Sequence, residues 1–136
     1  MEVIQKTFIA NIDYLHDVLD FLQLQLEKQN TSMKNINIIC IAVEEMFANV
    51  SMYAYPNETG ECKISIWFED DAVNISIEDS GIEFNPLAKD DPDVHASIED
   101  RGIGGLGIFM VKETMDECSY ERVNEKNIFT MRKVIK

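Results

Sequence analysis

The pattern of apolar and polar residues divides the chain into short alternating segments and longer segments with helical spacing. Residues 3–10 are partly alternating and rich in β-branched side chains, which predicts a first strand. The next apolar residues recur at helical spacing and end near Gln29: Leu15, Val18, Leu19, Leu22 and Leu26. This spacing predicts an amphipathic first helix.

A second helix is predicted after Thr31 or Ser32, either of which is a suitable N-cap. The helix runs to about Tyr55, where Pro56 and the turn sequence NETG stop it. One continuous apolar stripe marks the face that we expect in the core: Ile36, Cys40, Val43, Phe47, Val50 and Ala54.

Four segments alternate between apolar and polar residues, and they predict two β-hairpins. The first hairpin pairs residues 63–69 with Ala72–Asp79, and the second pairs Glu117–Val123 with residues 127–134. Asp70 and Asp71 connect the first pair. Between the hairpins, residues 86–100 are mostly polar and predict a loop, and residues 106–115 return to helical spacing. The predicted order is strand, two helices, two strands, loop, helix and two strands.

Composition indicates one acidic domain over residues 1–136. Hydrophobic residues make up 46% and charged residues 27%, and the formal net charge is −13. Binding to nucleic acids or to anionic membranes requires clustered Lys and Arg, which this chain lacks, so neither is an expected partner. An acidic chain that binds phosphate does so locally, through backbone N–H groups and a metal ion.

The cysteines and the apolar segments favour a cytoplasmic protein. Cys40, Cys62 and Cys118 are odd in number and widely spaced, which suits reduced thiols better than disulfides or a zinc site. The N-terminal residues lack the pattern of a secretory signal. The longest nearly apolar stretch, residues 36–43, is too short to span a bilayer.

Four glycines lie in the segment RGIGGLGIFMVK, which begins at Arg101: Gly102, Gly104, Gly105 and Gly107. Three of them spell G-x-G-x-x-G, the dinucleotide-binding fingerprint. No strand precedes them, and the nearest acidic residue at the required distance, Glu125, lies in a hairpin turn, so we reject this interpretation. A glycine-rich loop before a helix still offers N–H groups and a positive dipole end to an anion, although a plain hinge is the alternative.

Glu45 and Asn49 lie one turn apart on the second helix, so their side chains point the same way. Several apolar residues share that side, which predicts a pocket floor: Ile38, Ile41, Ala42, Met52 and Tyr53. An Asn carbonyl is an oxygen donor that Mg²⁺ accepts beside phosphate oxygens, and a nearby Glu can act as general base. From this helix alone, an ordinary surface pair is an equally good interpretation.

The segment DSGIEFNP follows the predicted third strand and begins with Asp79. Gly81 permits a turn there. A carboxylate at a strand end can accept a hydrogen bond from an amino group such as that of adenine. By itself, D-S-G is also a common turn sequence.

Taken together, E-x-x-x-N, D-x-G-x-x-F-x-P and R-G-x-G-G-L-G resemble the GHKL ATPase family, and more narrowly the anti-sigma-factor serine kinases of bacterial partner-switching modules. The resemblance runs nearly from end to end. It implies an α+β two-layer sandwich with helices on one face of a mixed, mostly antiparallel sheet, the histidine kinase-like (Bergerat) fold. ATP would lie between the helices and a lid at residues 87–100.

The resemblance also implies roles for individual residues. Glu45 would be the general base, and Asn49 would hold Mg²⁺. Asp79 would bind the adenine amino group, with Gly81 shaping its turn and Thr130 assisting through water. The remaining implied cofactor-binding positions are Tyr53, Phe84, Arg101, Gly102, Gly104, Gly105, Leu106 and Gly107. Two departures stand out: Tyr53 replaces a frequent His, and residues 124–126 replace a Gly-containing turn.

The function implied is an ATP- and Mg²⁺-dependent serine kinase that phosphorylates a STAS-domain antagonist. The family further implies a homodimer that binds a sigma factor. A non-catalytic, ATP-gated binding module is the alternative, because binding and catalysis use the same loops. The catalytic half of a two-component histidine kinase is a weaker option, since His16 and His95 both read as surface residues.

Overall fold

The computed structural model describes residues 2–88 and 105–135. Its elements, in chain order, are β1 (Ile4–Ile9), α1 (Leu15–Lys28), α2 (Met33–Tyr53), β2 (Glu61–Glu69), β3 (Ala72–Asp79), α3 (Gly105–Thr114), β4 (Glu117–Val123) and β5 (Lys126–Val134). Short 3-10 turns occupy Ile12–Tyr14 and Pro86–Ala88. The predicted order of strands and helices is confirmed, and most of the predicted loop at residues 86–100 lies outside the described residues.

The five strands form one sheet in the order β1-β2-β3-β5-β4, and each neighbouring pair is antiparallel. α2 packs against both α1 and α3. The predicted α+β sandwich is therefore confirmed, with every strand pairing in the described part of the chain antiparallel.

Local signals explain where the helices begin and end. Ser32, rather than Thr31, is the N-cap of α2, because its hydroxyl accepts a hydrogen bond from the N–H of Asn35 at 3.2 Å. α1 ends where Asn30 adopts a left-handed φ of 56° and the N–H of Thr31 donates to the carbonyl of Leu26 at 3.1 Å.

The core lies between the helices and one face of the sheet. The largest fully buried side chains are Phe47, Leu22, Leu26, Ile39, Ile64, Ile66, Ile75, Ile77, Met131, Val18, Val43 and Val73. The apolar stripe predicted on α2 is confirmed, although Cys40 is only half-buried. The buried face also includes Ile39, Ala42 and Met46, because α2 has neighbours on more than one side.

By length and a mean hydropathy of 1.3, α2 would also suit a membrane span. A core helix passes the same test, and the stripe of α2 contacts the hydrophobic core.

Both two-residue hairpin connections use left-handed backbone without glycine. Asp70 and Asp71 have φ values of 54° and 60°, and Asn124 and Glu125 have φ values of 51° and 65°. Two consecutive positive φ values match the twist of antiparallel strands. The second hairpin therefore forms a tight turn despite lacking the usual glycine.

The opposite face of the sheet carries polar side chains. Glu78 pairs there with Lys63 at 3.4 Å and with Lys126 at 3.5 Å. Since side chains alternate along a strand, Thr130 also belongs to this face, opposite Ser76 of β3 and between the buried Phe129 and Met131.

Candidate functional site

A cavity of about 570 Å³ lies between the C-terminal half of α2 and the adjoining ends of β3 and β5. Its walls consist of Met46, Asn49, Val50, Tyr53, Ala54, Ile77, Asp79, Ile82, Glu83, Phe84, Pro86, Tyr120, Asn127 and Phe129. Most of these side chains are apolar or aromatic, and a few polar groups lie among them. Such a lining is typical of a site for a flat organic group held by a small number of hydrogen bonds.

Asp79 is the buried carboxylate of this cavity, with 6% of its surface exposed. Its Oδ1 accepts hydrogen bonds from the N–H of Gly81 and from the side-chain amide of Asn127, both at 2.9 Å. Within residues 2–88 and 105–135, no hydrogen bond reaches Oδ2. One oxygen is thus fixed by the protein, and the other is available as an acceptor for a ligand.

Asn127 is the functional candidate that the sequence analysis missed. It lies on the inner face of β5, is 6% exposed and forms four hydrogen bonds through its side chain. A sequence signal for it exists: Asn127, Phe129 and Met131 alternate, so Asn127 is a polar residue in an inward-facing register.

Gly81 fits against the end of α2. A Cβ atom at this position would overlap the carbonyl oxygen of Ala54. The N–H of Ile82 donates to that same carbonyl at 3.0 Å, and Arg122 donates to the carbonyl of Gly81 at 2.9 Å. The turn after β3 therefore requires glycine because of space.

Tyr55 joins the end of α2 to both neighbouring strands. Its hydroxyl donates to the carbonyl of Glu61 at 2.6 Å and accepts from the N–H of Ser80 at 2.8 Å. Its ring fills the space that a side chain at Gly60 would need. Burial is the main cause that raises the pKa of Tyr55, so its hydroxyl stays protonated and keeps both bonds at neutral pH.

We call the part of the cavity near Asn49 its open end. Asn49 lines the cavity and is half-buried, and Glu45 lies one helical turn before it on α2 with an exposed side chain. The Glu45 carboxylate lies against Gly107 in the first turn of α3, where a Cβ atom would collide with it. The expected pocket floor is confirmed for Asn49 and Tyr53, which line the cavity. It is wrong for Glu45, which lies at the rim, and for Ile41 and Met52, which are 56% and 63% exposed.

The structure brings many of the implied site residues together. Asn49, Tyr53, Asp79 and Phe84 line the cavity, Gly81 packs against Ala54 of its wall, and Gly107 lies against Glu45 outside the lining. Gly105 and Leu106 belong to the start of α3. Arg101, Gly102 and Gly104, together with His95 and most of the expected lid, lie outside the described residues.

Thr130 is not brought to the cavity. It faces the opposite side of the sheet, and this corrects the expectation that it assists Asp79. The cause is the period of two along β5, which turns Asn127 inward and Thr130 outward.

No group of three or more His, Cys, Asp and Glu side chains that could hold a metal ion occurs among the residues described. A magnesium ion that takes one protein oxygen and completes its octahedron with phosphate oxygens and water does not need such a group. Asn49, with its amide in the cavity wall, fits this type of site.

Comparison with known proteins places this geometry in a family. The model of the histidine kinase-like ATPase domain matches residues 8–133. The serine-protein kinase RsbW of Bacillus cereus strain Q1 is 30% identical over 120 residues, which cover 85% of this chain and 75% of that protein. RsbW of Staphylococcus aureus strain MSSA476 is 28% identical over 99% of this chain and 88% of that protein.

Other matches cover less of the relative. The aligned part of RsbW from Bacillus mycoides strain KBAB4 spans 57% of this chain and 51% of that protein, at 30% identity. The structure of the RsbU and RsbW domains of Rv1364c from Mycobacterium tuberculosis superposes with a TM-score of 0.70 at 16% identity. That match covers 98% of this chain and 32% of the other, and it supports the fold. The chain belongs to the histidine kinase-like ATPase domain family, as its three motifs predicted.

Proposed function

We propose that this chain is a serine-protein kinase that binds ATP with Mg²⁺ in the cavity and phosphorylates a STAS-domain antagonist. The observation that carries the proposal is the order of groups along the cavity. Asp79 offers a carboxylate oxygen at the buried end, Asn49 offers an amide in the wall, and Glu45 lies one turn beyond at the rim. The RsbW relatives, named serine-protein kinases, support it.

The buried end suits adenine. Oδ2 of Asp79 accepts a hydrogen bond from the exocyclic amino group, and Ile77, Val50 and Phe129 provide apolar surface for the ring. The amino group would meet an acceptor oxygen of Asp79 that no donor of the described residues reaches.

The open end suits the phosphates. The carbonyl oxygen of Asn49 would bind Mg²⁺, and the N–H groups at the start of α3 would face the anionic oxygens. When bound, ATP with Mg²⁺ supplies the transferable γ-phosphoryl group, and ADP is the leaving group. We extend this role to the flanking Arg101, Gly102 and Gly104 from the motif alone.

Glu45 acts on the acceptor protein. Its carboxylate accepts the proton of the serine hydroxyl while the serine oxygen forms its bond to phosphorus and the β,γ-bridging bond breaks. Exposure at the rim favours this role, because the acceptor serine arrives on another protein and must reach the carboxylate from solvent.

The regulatory part of the proposal follows the family. The chain would act as a homodimer in the bacterial cytoplasm and sequester a sigma factor or a similar regulator of transcription until the antagonist competes for it. The three cysteines are unpaired in the structure, which suits a reducing compartment.

Phosphotransfer to a purified STAS-domain partner tests the proposal. Glu45→Gln should lower the transfer rate by roughly 100-fold or more, because the amide cannot accept the proton, while the Kd for ATP stays close to that of the unmodified chain. Glu44→Gln, one residue away on the same helix, is the matched control and should keep the rate. Absence of phosphoserine with the unmodified chain would refute the kinase assignment.

An ATP-gated binding module is the second candidate. The observation that favours it is that Glu45 is exposed and outside the cavity lining, whereas the base-binding end is already assembled. This candidate predicts a complex with the partner that depends on nucleotide and yields no phosphoserine. Affinity capture with ADP or ATP, followed by mass spectrometry of the bound proteins, separates the two.

A further inference from the structure

Asn127 has a hydrogen-bonding environment that the proposed function does not yet use. Its Nδ2 donates to Oδ1 of Asp79 at 2.9 Å and to the carbonyl of Ile82 at 2.8 Å. Its Oδ1 accepts from the N–H of Phe84 at 3.2 Å and from the hydroxyl of Tyr120 at 2.6 Å. An amide has two donor hydrogens and two acceptor lone pairs, so this side chain is saturated.

These four partners determine the orientation of the amide. Two are acceptors, and both meet Nδ2. Two are donors, and both meet Oδ1. Exchanging the nitrogen and oxygen would bring acceptor against acceptor at Asp79 and Ile82 and donor against donor at Phe84, whereas the Tyr120 hydroxyl can serve either way. The environment therefore holds a donor toward Asp79.

We propose that Asn127 is a positioning residue that fixes the Asp79 carboxylate and thereby gives the cavity its preference for a base with an amino group at the 6-position. This inference rests on the proposed binding of ATP. Gly81 and Asn127 both donate to Oδ1 of Asp79, and these two hydrogen bonds fix the carboxylate with Oδ2 toward the cavity. An acceptor fixed in this way attracts an amino group and repels a carbonyl.

Asn127 also connects the Asp79 carboxylate to the wall of the cavity through hydrogen bonds. Ile82 and Phe84 are both lining residues, and both are bonded through their backbone to the same amide. Arg122 holds the neighbouring carbonyl of Gly81 independently. Loss of the Asn127 donor should therefore affect the acceptor first, while the turn retains its contacts to Arg122 and to the end of α2.

Asn127→Asp tests the inference, because the new side chain has the same shape. Asn127→Ala is unsuitable, since it removes all four bonds at once and mixes orientation with folding. In Asn127→Asp, two carboxyl groups meet at hydrogen-bond distance and share a proton at low pH. The proton keeps a donor toward Asp79, and its loss at higher pH leaves two repelling carboxylates.

Several other titratable or charged groups face this pair: Cys62 on β2, Tyr120 and Arg122 on β4, Tyr55 after α2, and Glu83 in the cavity wall. Burial is the main cause that raises the pKa of Tyr120, and burial likewise raises the pKa of the Cys62 thiol. Both groups therefore remain protonated near neutral pH. The pH response should come from the carboxyl pair.

The measurement is calorimetric binding of ATP and of inosine triphosphate, which carries a carbonyl where ATP carries the 6-amino group. Relative to the unmodified chain, the Kd of Asn127→Asp for ATP should rise by roughly tenfold or more between the acidic pH at which the pair holds its shared proton and the alkaline pH at which it has lost it. The Kd for inosine triphosphate should not follow this trend. A purely structural role would weaken both nucleotides alike at every pH, and that result would overturn the inference.

Tyr120→Phe is the companion variant. It removes the hydrogen bond from the Tyr120 hydroxyl to Oδ1 of Asn127 and leaves the bond from Nδ2 of Asn127 to Asp79 in place. Because Tyr120 also lines the cavity, this variant should weaken both nucleotides, while the ratio of their two Kd values stays as in the unmodified chain. A changed ratio would show that the wall, rather than the Asn127 donor, sets the selectivity, and it would contradict the inference. If the unmodified chain binds no ATP, the proposed function itself fails, and the two failures are thereby distinguished.

Discussion

At the buried end of the cavity, Asp79 is 6% exposed and held by two hydrogen bonds, whereas at the open end the side chain of Glu45 is exposed and lies against Gly107. The buried end is assembled by partners up to 48 residues apart in sequence. The open end is organised by one helical turn of α2 and the start of α3.

The two ends of such a site depend on the ligand to different degrees. Buried polar groups must satisfy one another when the protein folds, so the base-binding end is preorganised. Exposed groups are solvated and gain little from fixed contacts in the absence of ligand. We therefore expect the open end to acquire its final geometry with nucleotide and metal, and the following changes test that contrast.

The largest effect is expected for Asn49→Ala at the open end. Removing the carbonyl that would bind Mg²⁺ should cost about 3 kcal/mol in binding of ATP with Mg²⁺, close to 100-fold in Kd. The difference in ATP affinity between the two proteins should disappear when EDTA removes Mg²⁺, because neither protein then has a metal ion for residue 49 to bind. Asn37→Ala, exposed on the same helix, is the control. Unchanged nucleotide affinity would refute the assignment of Asn49.

Asp79→Asn examines the preorganised end. The amide of the new asparagine has only one acceptor oxygen, and the donors of Gly81 and Asn127 would occupy it. The NH₂ group would therefore face the cavity. Affinity for ATP should fall roughly 10- to 100-fold, the range for a lost hydrogen bond to a charged group. Inosine triphosphate should lose less, because its carbonyl accepts from the new amide.

The control for this change is Glu78→Gln, a neighbouring carboxylate on the opposite face of β3. Equal losses for ATP in the two variants would show that charge, rather than position, determines binding. That outcome would remove the contrast between the two ends.

Gly107→Ala should act through Glu45. The added methyl group would displace the carboxylate that lies against it, and a misplaced base should lower the phosphotransfer rate by about tenfold or more. A double-mutant cycle with Glu45→Ala separates the causes. If Gly107→Ala lowers the phosphotransfer rate as much in the Glu45→Ala background as in the unmodified chain, the effect does not pass through Glu45. The glycine would then be needed to let the phosphates approach the backbone.

The smallest effect is expected far from the cavity, in the β4–β5 turn. Glu125 has a φ of 65°, which glycine adopts without strain, so Glu125→Gly should raise the free energy of unfolding by about 0.5–1 kcal/mol. Glu121→Gly, in the middle of β4, is the matched control and should lower it. Denaturant unfolding measures both, and a decrease for Glu125→Gly would contradict the expectation.

The sequence alone predicted the elements, their order and the positions of Glu45, Asn49 and Asp79 on them. These predictions rest on local rules: periodicity of side chains, capping at Ser32 and turns at glycine. The site residues were proposed from three motifs whose order resembles a family, and the match to the family model over residues 8–133 confirms that resemblance.

Contacts between residues distant in sequence set the features that local rules do not predict. The tertiary structure turned Asn127 inward and Thr130 outward, because a shift of one residue along a strand moves a side chain to the other face of the sheet. It also placed Glu45 at the rim, because exposure depends on which neighbours α2 contacts and not on its own periodicity. Sequence thus determined which groups the chain carries and their local spacing, and long-range packing determined which of them meet in the cavity.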